Sequence, residues 1–430
     1  MIKKYSYLSL GSALLTALLV IMPFHAAIVT VLGNYLPYKL VLQGWKEILI
    51  LIIAIVCAYA VYKDRKLLSL NHINKLAISI ILFSLAISIL TFSELNALLA
   101  GIKTNLVVFV LFLEAQVLAS KYNFEKVFKI VLIPAVIVAT LAILQPIIFT
   151  PELLQIIGYN SSSIVGGQYI EASKESMRVF STLGGPNQLG AYLIIPFTLS
   201  LVFAFKSVKK NIGWYLLPII FLIPIYMTYS RSAWIGTIVA ALSVLILQFR
   251  LKTQLIVATC LILLLIVLGY SLYSGGVCRY FSKPVAILIH GDCKTGSLGG
   301  SDMIRVNSIQ QGIDTITSNP FGKGIGSAGP ASFYTQKPLI VENWYLQIAI
   351  EIGIIGLFLY VIFIVLNLRQ LYIKSKQKND SILPTTLFAV ICGILATSLF
   401  LHTLADSTLS IILFSLLGIT LGMKSKEYTK

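Results

Sequence analysis

Three arginines and one carboxylate stand out by their neighbours. Arg231 sits between two serines in "YSRSAWIG", and Arg178 precedes the Gly-Gly-Pro-Asn turn of "VFSTLGGPNQLGAYL". Arg305 opens "RVNSIQQGIDTITSNP", and Glu342 with Asn343 begins the apolar stretch "ENWYLQIAIEIGIIG". A guanidinium presents a fixed fork of N–H donors that matches phosphoryl oxygens two at a time, and it stays charged at any physiological pH. Fixed arginines can therefore stabilise a departing pyrophosphate, and a positioned carboxylate can take the proton of an attacking hydroxyl. Two arginines supply the charge that a divalent metal supplies elsewhere, so neither metal nor cofactor is expected. His290 with Asp292 makes no metal site, because no second histidine is near them in sequence.

Each of these residues also has a plainer reading. A single arginine at a span end can be a snorkelling anchor. Arg178 can pair with Glu171 or Glu175, and Arg305 can balance Asp302. Glu342 can be an acid favoured by the macrodipole at a helix start. Arg231 has almost no loop around it, which favours a buried and paired role. Glu351 reads as a buried structural partner, while Lys103 with Glu114 and Asp406 near His402 read as pairs within or beside a membrane.

The elements that must hold these residues are apolar. Of 430 residues, 57% are hydrophobic and 11% charged, against about 25% charged in soluble domains. An ordinary soluble enzyme is excluded. Runs long enough for a bilayer, roughly 20 residues each, predict an all-α integral membrane protein of about twelve transmembrane helices in one polytopic domain, 1–430. They fall near 8–32, 45–62, 76–93, 97–119, 127–149, 188–205, 213–230, 232–249, 254–273, 343–367, 383–401 and 407–423. The first is too long for a cleaved signal peptide and lacks a small-residue cleavage site, so it is expected to remain a span.

If both termini are cytoplasmic, 21 of the 33 Lys and Arg fall on that side, with Asp64, Glu125, Asp380 and Glu427 as counter-charges. That is the positive-inside pattern. The net charge of +17 is thereby a topology signal and gives no support to nucleic-acid binding. Two long polar segments, 150–187 and 274–341, then lie outside. In the second, Val306, Ile309, Ile313 and Ile316 recur at helical spacing, which predicts an amphipathic helix lying along the interface and ended by Asn319-Pro320. Cys278 and Cys293 share that loop, on the side where disulfides persist, and form a disulfide candidate; two unrelated thiols are the alternative.

Residues 178–366 resemble the signature region of the O-antigen ligase and O-antigen polymerase superfamily. "YSRSAWIG", Arg305 in its helix and "ENWYLQIAIEIGIIGL" carry the resemblance, with "RVFSTLGGPNQLGAYL" similar to the stretch preceding that region. The resemblance implies an inverting, metal-independent glycosyltransferase of the bacterial inner membrane, with its active site on the extracytoplasmic face. Its donor would be an undecaprenyl-pyrophosphate-linked glycan and its acceptor a glycan or a lipid, with a chain-length co-polymerase as a candidate partner. Arg231 and Arg305 would bind the leaving group and Glu342 would serve as base. Arg178, Asn187, Ser230, Asn343 and Tyr345 would contact substrate. Many ligases carry histidine before the asparagine of a His-Asn-x-Tyr-Leu pattern. Glu342 stands there in this chain, which turns the expectation toward a polymerase. A ligase, a protein O-oligosaccharyltransferase and, in another class, a lipid-linked-glycan flippase are the alternatives. A flippase should show inverted repeats, interrupted helices and charges along a path through the bilayer.

Overall fold

The computed structural model describes residues 6–36, 39–91, 93–122, 124, 127–160, 163–170, 173–206, 212–248, 300–377 and 381–423. The predicted span 254–273, the disulfide candidates Cys278 and Cys293, and His290 with Asp292 lie outside the described residues.

The first half of the chain forms α1 Ser6–Ile21, α2 His25–Tyr35, α3 Lys39–Lys63, α4 His72–Leu90, α5 Leu95–Gly101, α6 Val107–Ala119, α7 Val127–Ile148 and α8 Pro151–Ile156. It continues with α9 Pro186–Lys206, α10 Ile212–Met227, α11 Arg231–Gln248, α12 Gly300–Ser318, α13 Trp344–Ser375, α14 Ile382–Thr397 and α15 Ser407–Gly422. Among the described residues, eight helical stretches are long and apolar enough to cross a membrane, and α10, α14 and α15 are apolar but shorter. Together they account for every predicted span except 254–273. The protein is an all-α, multi-pass membrane protein. Its one sheet among the described residues is a small antiparallel hairpin, β1 Tyr169–Ile170 with β2 Ser173–Met177, in the loop before α9.

Packing follows the membrane rule that close approach and interlocked rings replace hydrophobic drive. Phe109 of α6 meets Tyr360 and Phe363 of α13 and Phe414 of α15 edge-on, with ring centroids 5.2, 5.1 and 5.3 Å apart. Where α11 crosses α14, a Cβ built on Gly393 would stand 2.5 Å from the Gly236 carbonyl oxygen. The two backbones touch there because neither residue has a side chain.

Two features differ from the sequence reading. α12 does end at Ser318 before Asn319-Pro320. However, the stripe it turns inward runs through Ser308, Gly312 and Ile316, while Val306 and Ile313 remain 50% and 42% exposed. Half of the expected apolar face therefore points away from the protein. The second difference is in α13, whose sequence reads as continuous. It breaks at Ile352 (φ −124°, ψ 16°) and Gly353 (φ 73°, ψ 177°), about 12 Å from its start at 1.5 Å per residue. The segment after α12 fills the break: Lys323 N donates to Ile350 O (2.8 Å), Gly324 N to Glu351 O (2.8 Å), and Ile354 N to Pro320 O (3.0 Å). Backbone groups freed inside an apolar bundle need such partners, and the inserted loop supplies them.

Candidate active site at the loop end of the bundle

Arg178 follows β2 and enters a turn pinned on three sides. Gln145 of α7 accepts from Phe180 N (2.9 Å) and Ser181 N (2.8 Å), and the Thr182 hydroxyl donates to Pro23 O (2.7 Å). From this turn Arg178 Nε donates to Thr228 O (3.0 Å) and Nη2 to Asn187 Oδ1 (3.0 Å). Thr228 belongs to the very short link between α10 and α11. In that link Ser230, 2% exposed, donates its N–H to Thr228 Oγ1 (3.2 Å) and lies 3.2 Å hydroxyl to hydroxyl from Ser232. Arg231 then opens α11. Ser181 (φ 53°) and Tyr229 (φ 50°) are the two non-glycine residues of positive φ among the described residues. Each costs about 1–3 kcal/mol, and each lies within three residues of an arginine of this set.

Arg178 lies near enough to Arg305 and Arg231 to feel the charge of both. Burial, then the charges of Arg305 and Arg231, pull the Arg178 guanidinium down to about 10 from its ordinary value. Like charges held this way oppose one another, and an anion between them relieves that cost. Arg305, on α12, reaches Glu342 with Nε 2.5 Å from Oε2, each side chain about one-third exposed (32% and 29%).

The start of α13 is fixed by its own cap. Asn343 is the N-cap, accepting from Leu346 N (3.0 Å) through Oδ1 and donating to Leu399 O (3.0 Å) through Nδ2. Trp344 N donates to Ser398 O (3.0 Å) and the Tyr345 hydroxyl to Leu395 O (2.9 Å). Asn343 and Tyr345 thus have partners within the fold, and Asn187 holds Arg178. Glu342 is not the cap; its carboxylate turns to Arg305. Deeper in α13, Glu351 is 1% exposed and takes hydrogen bonds from Asn105 Nδ2 (2.6 Å) and Gln347 Nε2 (3.2 Å), which makes it the buried partner its sequence position suggests.

His402 is a neighbour that sequence reasoning missed. Proximity in sequence pairs it with Asp406, but Asp406 caps α15, accepting from Leu409 N (2.9 Å). His402 instead feels the charge of Glu342; burial lowers its pKa, while that charge and the Val341 backbone act to raise it. Its Nδ1 is buried with no hydrogen-bond partner among the described residues. No local signal points to it, because sixty residues separate it from Glu342. Lys103 is likewise not paired with Glu114. It meets Glu47 at 3.1 Å, since eleven residues along a helix separate two side chains by about 16 Å.

A family model described as O-antigen ligase matches residues 216–361, the stretch that carries Arg231, Arg305, Glu342 and Glu351. The O-antigen polymerase of Salmonella muenchen is 23% identical over 295 residues, covering 66% of this chain and 71% of that protein. Over these stretches the chain is similar to the O-antigen ligase/polymerase superfamily. The apolar helices themselves make it a multi-pass membrane protein. Arg178, Asn187 and His402 fall outside the matched stretch, yet they close the site from the turn before α9 and from the turn after α14.

Proposed function

We propose that this chain is an O-antigen or related polysaccharide polymerase, transferring a glycan from an undecaprenyl-pyrophosphate carrier to a sugar hydroxyl on the outer face of the bacterial inner membrane. The observation that carries this reading is the Arg305–Glu342 ion pair, with Arg178 near enough to Arg305 and Arg231 to feel both charges. Pyrophosphate leaving from an anomeric carbon develops charge that fixed guanidiniums offset. The acceptor hydroxyl attacks from the opposite side, which inverts the centre, and Glu342 takes its proton. In the unliganded protein Arg305 holds Glu342. A pyrophosphate drawn in among the arginines competes for Arg305 and frees the carboxylate for the acceptor.

Glu342 in place of the histidine common in ligases favours a polymerase, while the matching family model, described as O-antigen ligase, supports a ligase as the second reading. The broken α13 is one mark of a flippase. The charged residues of the site gather at one end of the bundle, which favours an enzyme. The test is purified protein in proteoliposomes with a lipid-pyrophosphate-linked repeat unit. Lengthened lipid-linked glycan with release of undecaprenyl pyrophosphate is expected. Transfer only to added lipid A–core would make it a ligase, and movement of the lipid without release of pyrophosphate would overturn the transferase reading.

A further inference from the structure

A second polar site lies at the same end of the bundle, outside the arginine cluster. A cavity of about 410 Å³ is walled by His25, Asn34, Gln43, Lys103, Asn160 and Ser163, with Tyr334 at its edge. Its volume falls in the roughly 300–1,000 Å³ of small-ligand sites. The wall is built from five separate parts of the chain: α2, α3, the turn after α8, the segment before α13 and a π-helical turn, Ile102–Leu106, between α5 and α6. Lys103 lies on that last turn, and such turns recur at functional sites.

The wall is braced. Ser163 Oγ donates to Gly158 O (2.9 Å) and receives Asn160 N (3.1 Å), fixing the turn. Trp45 Nε1 donates to His25 Nδ1 (2.9 Å), and Lys46 Nζ lies 2.7 Å from His25 Nε2. Lys103 is held by Glu47 at 3.1 Å, and Glu47 also lies 3.7 Å from Lys46. The cations here are therefore matched by carboxylates, with Asp406 a further opposite charge near Lys46. The wall suits hydroxyl groups better than an anion: amide and hydroxyl side chains can both give and accept hydrogen bonds, and Tyr334, 62% exposed, offers a ring face. The connection to the arginine site is direct, because the Thr403–Ala405 turn that follows His402 packs against the π-helical turn carrying Lys103.

We propose that this cavity is a subsite for a neutral sugar residue, held through Asn34, Gln43, Asn160, Ser163 and Lys103. The class of ligand, a glycan, rests on the transferase reading above; the position and the chemistry of the wall do not. The subsite would hold a sugar of the glycan chain a short distance from the reacting hydroxyl and so register that hydroxyl against Glu342.

The probe is the lipid-free oligosaccharide repeat released by mild acid from the host's own surface polysaccharide, titrated into the full chain in nanodiscs with saturation-transfer difference NMR. Binding by the unaltered protein is expected. Asn34→Ala and Gln43→Ala, which remove neither of the Ser163 hydrogen bonds that fix the turn, should each weaken it at least tenfold at unchanged thermal midpoint. Inorganic pyrophosphate at equal concentration should not displace the sugar. Absent binding, unchanged affinity in both variants, or displacement by pyrophosphate overturns the subsite. Undecaprenyl pyrophosphate release is measured on the same preparations. If the unaltered protein releases none, the transferase reading fails while the NMR result still judges the cavity. If it turns over, the variants should raise the KM for the acceptor at least tenfold with kcat retained, and an unchanged KM sinks the subsite alone.

Discussion

At the scale of single residues, the Arg305–Glu342 pair makes the sharpest claims. Glu342→Gln keeps shape and removes basicity, so turnover on a lipid-pyrophosphate glycan should fall by roughly 10²–10⁴-fold, while donor binding persists through the arginines. Glu342→His should retain part of the activity if proton acceptance is the role. Near-normal turnover of Glu342→Gln would move the search for a base to His402. Arg231→Lys should rescue poorly compared with its effect as a mere charge, because an ammonium cannot make the bidentate contact; wild-type rate in that variant would reduce Arg231 to an anchor. His402 adds a pH dependence. Its folded pKa lies below its ordinary value near 6.5, so the unfolded chain takes up the proton first as pH falls. The stability it contributes is complete above about 6.5 and is lost as pH drops below that value. The thermal midpoint should therefore fall between pH 7 and pH 5, and His402→Gln should flatten that fall. The residues around "YSRSAWIG" and "ENWYL" were legible because charge beside an apolar span is conspicuous. His402 and Gln145 were not, since only folding brings them to the arginines.

At the scale of elements, the break in α13 matters most. Sequence placed the helix but not the interruption: "IGIIGLF" is apolar throughout, and the one sign is a glycine with another glycine three residues on. The break exists because the 320–324 segment satisfies the freed backbone, a partnership between residues about thirty positions apart. Gly353 is the residue that depends on it. Its φ of 73° disfavours any side chain, and a Cβ there would meet the Phe321 carbonyl carbon and oxygen at 2.6 and 2.7 Å. Gly353→Ala should destabilise the protein by about 1–3 kcal/mol from backbone strain, with the clash adding to it. Because the inserted segment continues from α12, the same variant should loosen Arg305 against Glu342 and lower turnover at temperatures where the fold persists. The measurement is the detergent-solubilised thermal midpoint alongside glycan transfer. An unchanged midpoint would mean that the segment and the helix part freely. α12 teaches the same lesson from the other side: the period of its apolar residues was read correctly, but Arg305, Ser308 and Gly312 decided which face turned inward.

At the scale of the whole molecule, all of these roles depend on which way the bundle faces. The positive-inside count predicts both termini in the cytoplasm, and the shared cavity of the turn after α8 and the segment before α13 shows that the two long loops meet at one end. The outer-leaflet lipid-linked glycan of the proposed reaction could reach the arginine site only if that end is outside. Single cysteines test this in a background with Cys278 and Cys293 replaced by serine. Lys337→Cys lies in an exposed stretch just before α13, and Asp64→Cys lies in the short link after α3, beside Arg65 and Lys66. An impermeant maleimide applied to intact spheroplasts should label position 337 and leave position 64 unlabelled until the membrane is opened. The charge pattern makes this a strong expectation, since the short loops of one side each carry at least two bases and positive-inside sorting is strongest in short loops. Labelling at 64 with protection at 337 would put the arginines, Glu342 and the sugar cavity in the cytoplasm. The chain could then work only on substrates of that leaflet, and the polymerase reading would fall with the topology.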